Sequence, residues 1–309
     1  MLRVTFLGTS AARPTSGRNV SALAVQRGGE RFLFDCGEGT QRQMMRYRTG
    51  FGVNHVFVTH THADHILGIP GLLRTMALEG RTDPIRVLGP PGSFRELREI
   101  VEVGQGSARL PVTVEEAAPG PVFRGNGFRL EAFPVSHGRS AVGWALVEDE
   151  RRGRFDAELA DRLGVPDGPV RGRLHRGEDV EVDGKFLRGR DFVGRARRGR
   201  KVVYTGDTRP AVTTIDHARA ADLLVHEATF TGDESARARE TFHSTASEAA
   251  RVAMQSGVRR LILTHVSARY SDDPKPLRDE ARAIFPETVV ARDGMSIEVA
   301  LPDDENGAP

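Results

Sequence analysis

One cysteine, Cys36, is all that 309 residues offer. An internal disulfide is therefore excluded, and a reducing, cytoplasmic setting is the natural expectation. Cys36 follows the apolar run Phe32-Leu33-Phe34, which suggests a buried structural thiol rather than a nucleophile. Long apolar runs are also missing. No stretch approaches the roughly 18 residues that a membrane-spanning helix needs, so no membrane partner is expected. The amino-terminal run Met1-Leu2-Arg3-Val4-Thr5-Phe6-Leu7-Gly8 has a strand-like pattern. It lacks the apolar core and small-residue cleavage site of a signal peptide. Excess charge is scarce as well: 44 Lys+Arg stand against 42 Asp+Glu, a net charge of +2. Distribution then matters more than the total.

What is present is an ordinary globular composition, 39% hydrophobic and 28% charged, in a chain long enough to bury a sizeable core. The runs Val4–Leu7, Ala22–Gln26, Arg31–Phe34, Asn54–Val58, Ile85–Leu88, Phe128–Val135 and Val142–Val147 read as strands. So do Lys201–Thr205, Asp222–Val225, Arg260–Thr264, Thr288–Ala291 and Ser296–Leu301. Helices are expected from Ile66, over Ser93–Val103 with Ser93 as N-cap and Glu96 three residues on, over Thr245–Gln255 and over Lys275–Phe285. Strands and helices mix in both halves, which argues for a layered α/β (α+β) protein with two sheets between helices. Residues 148–198 break the rhythm. They are polar and rich in Gly and Arg, and are expected to bury little core. They read as an arm (149–195) inserted into a domain spanning 1–301, with a disordered tail over 302–309.

Chemistry concentrates between His60 and His65, where His60, His62, Asp64 and His65 offer three imidazoles and one carboxylate between a short strand and an apolar helix. These are the groups that hold zinc or a similar metal. The same pattern, an apolar strand followed by His or Asp, recurs at His137, Asp207 and His265. His243 precedes a helix. From Arg188 to Lys201 the chain carries seven basic residues, Arg195, Arg197 and Arg198 among them, against one acid. That run is either a solvated surface or a phosphate-contacting patch.

His60-x-His62-x-Asp64-His65, with His137, Asp207 and His265 in order, resembles the metallo-β-lactamase superfamily. Phe6–Ser10, Asp35–Gln41, His226–Phe230, Thr264–Tyr270 and, in the arm, Leu163–Val170 resemble more narrowly the ribonuclease Z family, the tRNA 3′-processing endonucleases, over about 1–301. The resemblance implies a four-layer αβ/βα sandwich with a flexible inserted arm. It implies two Zn2+ ions per subunit, with Mn2+ as an alternative. One ion would be held by His60, His62 and His137, the other by Asp64, His65 and His265, with Asp207 bridging. It implies that Asp64 is also the general base, and that His243, oriented by Glu227, protonates the leaving group. The implied substrate is precursor tRNA, cut to leave a 3′-hydroxyl on the tRNA and a 5′-phosphate on the trailer. The arm, with Gly168 and Pro169, would grip the tRNA elbow. Arg195, Arg197, Arg198, Arg269, Arg18 and Asn19 would make further RNA contacts. A homodimer is implied, the arm of one subunit serving the site of the other. One departure is Ser16, where many members carry lysine in a P-x-K-x-R-N loop. Weaker rejection of CCA-bearing tRNA is expected from it. The competing expectation is a hydrolase on the same fold for a small phosphodiester, sulfate ester, thioester or lactam, which would not need the arm.

Overall fold

A computed structural model describes residues 1–104 and 110–302. The expected tail falls almost wholly outside the described residues. The chain divides into two compact units. One comprises 1–147 and 200–300, the other 148–199 with Leu301 and Pro302. No helix among the described residues is long and apolar enough to cross a membrane.

The first unit holds two seven-stranded sheets. In spatial order the first runs Ser296–Glu298, Leu2–Gly8, Ala22–Arg27, Glu30–Phe34, His55–Phe57, Ile85–Gly89 and Val112–Glu116. The second runs Thr288–Val290, Leu261–Thr264, Leu223–Glu227, Lys201–Tyr204, Val142–Glu148, Phe128–Pro134 and Gly120–Gly125. Alternation along a strand decides what each face buries. Leu2, Val4 and Phe6 enter a core shared by both sheets, with Phe32, Phe57, Phe128 and Trp144. Leu7 faces the other way, onto Met44, Ile69, Leu72 and Leu97 of the flanking helices. Ala246, Ala249, Ala250 and Ala253 pack the helix Ala246–Ser256 onto the outer face of the second sheet. The layers are thus helix, sheet, sheet, helix. Burying each large side chain contributes roughly 1.5–3 kcal/mol.

Two strands, Val112–Glu116 and Gly120–Gly125, and three helices, Thr40–Arg46, Val212–Ala218 and Ser235–Glu240, were not expected from the sequence. The helices are seven, seven and six residues long, too short for a 3.6-residue period to stand out. The apolar run from Ile66 is split into Ala63–Ile66 and Ile69–Leu78. No capping box forms at Ser93: its Oγ donates to the Pro90 carbonyl at 2.6 Å, and Glu96 pairs with Arg139 at 2.9 Å. The box is instead at Thr245 and Glu248, opening the helix Ala246–Ser256.

The second unit corrects the expectation of an arm that buries little core. Helices Ala157–Arg162 and Pro169–His175 and the hairpin Val180–Val182/Lys185–Leu187 enclose Ala160, Val165, Leu174, Val180, Leu187 and Phe192. Apolar residues scattered between Ala160 and Phe192 produced no periodic signal, yet they meet once the hairpin folds back.

Candidate metal centre

The centre lies where strands of the first unit end. His60 and Asp35 follow strands of one sheet, and Asp207, Glu227 and His265 end or follow strands of the other. Asp35 and His265 both have a positive φ, 54° and 55°. This left-handed turn is uncommon for non-glycine residues and is found where a site over-determines the backbone. The helix Ala63–Ile66 is pinned to the strand-end loop by Cys36 N to His65 O and Gly68 N to Cys36 O, both 2.8 Å. The approach requires glycine, since a Cβ on Gly68 would stand 2.0 Å from the Gly37 carbonyl. Cys36 is buried beneath, and burial pushes its thiol up to about 12, so it is inert.

Two groups of ligand atoms converge. His60 Nε2 stands 2.8 Å from His62 Nδ1, which stands 3.3 Å from His137 Nε2. Asp207 Oδ2 completes this group 3.5 Å from His60 Nε2. In the second group Asp64 Oδ2 lies 3.5 Å from His65 Nε2 and 3.3 Å from His265 Nε2. Asp207 faces both groups, with Oδ1 3.3 Å from His265 Nε2 and Oδ2 3.4 Å from His65 Nε2. Bonds of about 2.0–2.1 Å in a tetrahedral ion set ligands about 3.3 Å apart, close to most of these spacings. Two buried atoms, His65 Nε2 and Asp207 Oδ1, have no hydrogen-bond partner. Buried polar atoms are rarely left so. Burial, reinforced for His60 and His62 by neighbouring imidazoles, lowers the pKa values of His60, His62 and His137. They are then neutral and can ligate. The donor set therefore fits divalent metal. Burial falls from His60 and His65 at the floor to the exposed His62, which leaves the centre open on one side.

Two residues without an expected role hold the candidate ligands in place. Asp35, fully buried, accepts from His65 Nδ1 at 2.8 Å, Thr59 N at 2.7 Å and Tyr204 OH at 2.8 Å. It thereby turns His65 Nε2 towards the centre. Thr229 Oγ1 bridges His265 Nδ1 at 3.0 Å and Glu227 Oε2 at 2.9 Å. Asp35 follows an apolar strand as the candidate ligands do, so its signal was available; Thr229 had none. Asp35→Asn is expected to weaken metal affinity by about 10–100-fold, the usual effect of losing a partner behind a ligand. Competition with a chromophoric chelator measures this, and wild-type affinity in the variant would contradict it.

Glu227 and His243 do meet: Oε1 accepts from Nδ1 at 2.8 Å. Glu227 is also held by Thr208 N at 3.0 Å and Thr229 N at 3.1 Å. Burial opposes a charge on His243, but Glu227, with Asp207 and Asp64 nearby, outweighs it and raises the imidazole to about 9. His243 Nδ1 is 4.0 Å from Asp207 Oδ2.

The expected RNA-contacting residues fare differently. The loop after Ser10 reaches the centre through Ala12 N, which donates to Asp64 Oδ2 at 2.9 Å. Arg18, however, is buried, donating to Thr9 Oγ1 at 2.8 Å and Ala291 O at 2.7 Å. It is an anchor of that loop, because its guanidinium satisfies interior acceptors. Asn19 Nδ2 donates to Glu38 O at 2.8 Å. Arg269 is partly exposed and pairs with Glu234. Gly168 and Pro169 are exposed where the helix Pro169–His175 begins, and Arg195 and Arg198 are exposed in the same unit. Arg197 is half-buried, its Nε on Arg152 O at 3.1 Å.

Comparison with known proteins places the chain in a family. The family profile described as the beta-lactamase superfamily domain matches residues 30–158 and 191–266. A ribonuclease Z from Gemmatimonas aurantiaca is 53% identical over 311 residues, covering 100% of this chain and 99% of the relative. One from Haloferax volcanii is 55% identical, covering 99% and 98%. The chain belongs to the ribonuclease Z family of the beta-lactamase superfamily. Among solved structures, the short form of human tRNase Z superposes with a TM-score of 0.70 at 28% identity, covering 96% of this chain and 99% of that one. The two-sheet, four-layer architecture is that of the family.

Proposed function

We propose that this chain is an endoribonuclease that removes the 3′ trailer from precursor tRNA, leaving a 3′-hydroxyl on the tRNA and a 5′-phosphate on the trailer. The observation that carries this reading is the double ligand cluster around Asp207 in a chain about half identical, end to end, to proteins named ribonuclease Z. The human neighbour named tRNase Z supports the choice of RNA.

On this reading His60, His62 and His137 would hold one zinc ion, Asp64, His65 and His265 would hold the other, and Asp207 would contribute to both sites; manganese would suit the same donors. When bound, the two ions would acidify the attacking water and offset charge on the phosphoryl oxygens. The rest falls to side chains. Asp64 accepts the proton of the attacking water. Glu227 fixes Nδ1 of His243, which leaves Nε2 as the proton donor to the departing ribose 3′ oxygen. Cations on Asp207 and Asp64 would remove part of what raises His243, but the Glu227 pair persists. His243→Ala is expected to slow single-turnover cleavage by about 10²–10³-fold with metal content unchanged, the usual size for a general acid. Near-normal cleavage would remove His243 from the mechanism.

Mapping the products of one purified precursor tRNA, with and without CCA, tests the function itself. Cleavage after the discriminator base with a 3′-hydroxyl is expected, and some cleavage of the CCA-bearing precursor given Ser16. Hydrolysis of small esters with no site-specific RNA cut would favour the competing reading.

A further inference from the structure

At the end of the first sheet remote from the metal centre, a cavity of about 280 Å3 is lined by Arg3, Gln26, Arg31, Tyr47, Arg48 and Thr49, among others. Arg31 and Asp35 stand at opposite ends of one strand and its exit, roughly 13 Å apart along the chain. Arg3, Gln26 and Arg31 form one row across three antiparallel strands. Arg48 joins them from the turn after the helix Thr40–Arg46, with a φ of 54°, an unfavourable conformation for a long side chain. Tyr47 lies against Gly294, where a Cβ would come within 2.2 Å of the ring. The buried Thr49 Oγ1 has no hydrogen-bond partner.

The charge balance is uneven here. No carboxylate lines the cavity among the described residues. Glu298 is the strand partner of Arg3, yet no ion pair joins them. Arg31 and Arg48 also lack ion pairs among the described residues, whereas Arg86, elsewhere on the same sheet, is matched by Glu115 at 2.6 Å. Gathering like charges around one cavity is unfavourable unless an anion relieves it. Guanidinium forks match phosphate oxygens, and an aromatic ring offers a face to a base. The volume sits near the lower end of the range for ligand sites, about 300–1,000 Å3.

We propose that this cavity binds a phosphate-bearing ligand of mononucleotide size, its phosphate between Arg3, Arg31 and Arg48 and its remainder against Tyr47. The ligand is either a free nucleotide or the phosphorylated end of an RNA strand. The inference stands apart from the reaction proposed above.

Titration calorimetry of the metal-loaded full chain with adenosine 5′-monophosphate tests it. The double variant Arg31→Gln/Arg48→Gln is expected to weaken binding by at least about tenfold, since two charge-assisted pairs are lost. Hydrolysis of bis(p-nitrophenyl) phosphate should be unchanged, which also reports correct folding. Phosphates can also reach the metal centre, so the titration is repeated on Asp207→Asn, which should retain the nucleotide. A 5′-phosphorylated trinucleotide distinguishes the sources: binding tighter than the mononucleotide assigns an RNA end, and equal binding a free nucleotide. The proposal is overturned by undiminished affinity in the double variant, by binding that vanishes in Asp207→Asn, or by no binding to the wild type.

Discussion

Asp207→Asn should cost at least about 10³-fold in kcat on bis(p-nitrophenyl) phosphate, on the order of 4 kcal/mol of transition-state stabilisation, and the purified protein should hold less metal than the wild type. The reason is that one carboxylate serves both ligand groups. Oδ2 faces His60 and His65, and Oδ1 faces His265. An amide keeps the shape but not the charge, and its nitrogen has no lone pair to give. One group therefore loses a ligand whichever way the side chain turns. The expected loss exceeds that for Asp35→Asn, which removes only a partner behind His65. Elemental analysis beside the rate separates the alternatives. Full metal content with activity within about threefold of wild type would refute the shared role of Asp207.

Removal of the second unit should separate RNA cleavage from the chemistry. Arg151 and Arg197 exchange backbone hydrogen bonds at 2.7 and 2.8 Å, so residues 152–196 can be replaced by a short Gly-Ser turn while that bridge is kept. Precursor tRNA cleavage is expected to fall by at least about 10³-fold in kcat/KM, in line with the loss of several phosphate contacts. Bis(p-nitrophenyl) phosphate turnover should stay within about threefold, because every ligand lies in the first unit. The unit is not simply a basic surface. Arg171 pairs with Asp161 at 2.5 Å, and Arg173 and Arg176 with Glu178 at 3.0 and 2.7 Å. RNA contact would then fall to shape, backbone and the exposed run around Arg195. If the working form is a homodimer whose arm serves the partner, mixing the armless chain with Asp207→Asn restores cleavage, since one supplies a site and the other an arm. Unimpaired tRNA cleavage by the armless chain would make the arm dispensable.

Several residues show how far reading the chain could go. His60, His62, Asp64 and His65 were legible because they are adjacent in sequence, and His137, Asp207 and His265 because each follows an apolar strand. The strand rule also covers Asp35, but a carboxylate alone does not reveal whether it faces metal or a histidine. Arg18 was misread for a related reason: nothing in a loop sequence tells whether a guanidinium meets solvent or the carbonyl of Ala291, 273 residues on. The core of the second unit was missed because its apolar residues are sparse and aperiodic.

By itself the sequence determined the two-sheet α/β class, the order of the candidate ligands, and the family, since these depend on local periodicity and on short motifs. Only the tertiary structure decided which candidate ligands lie against Asp207, that Asp35 and Thr229 orient the imidazoles, that Arg18 is interior, and that three arginines from separate segments face one cavity. Those outcomes depend on contacts between residues far apart in the chain, whose partners are chosen by packing and by the need to satisfy buried polar groups.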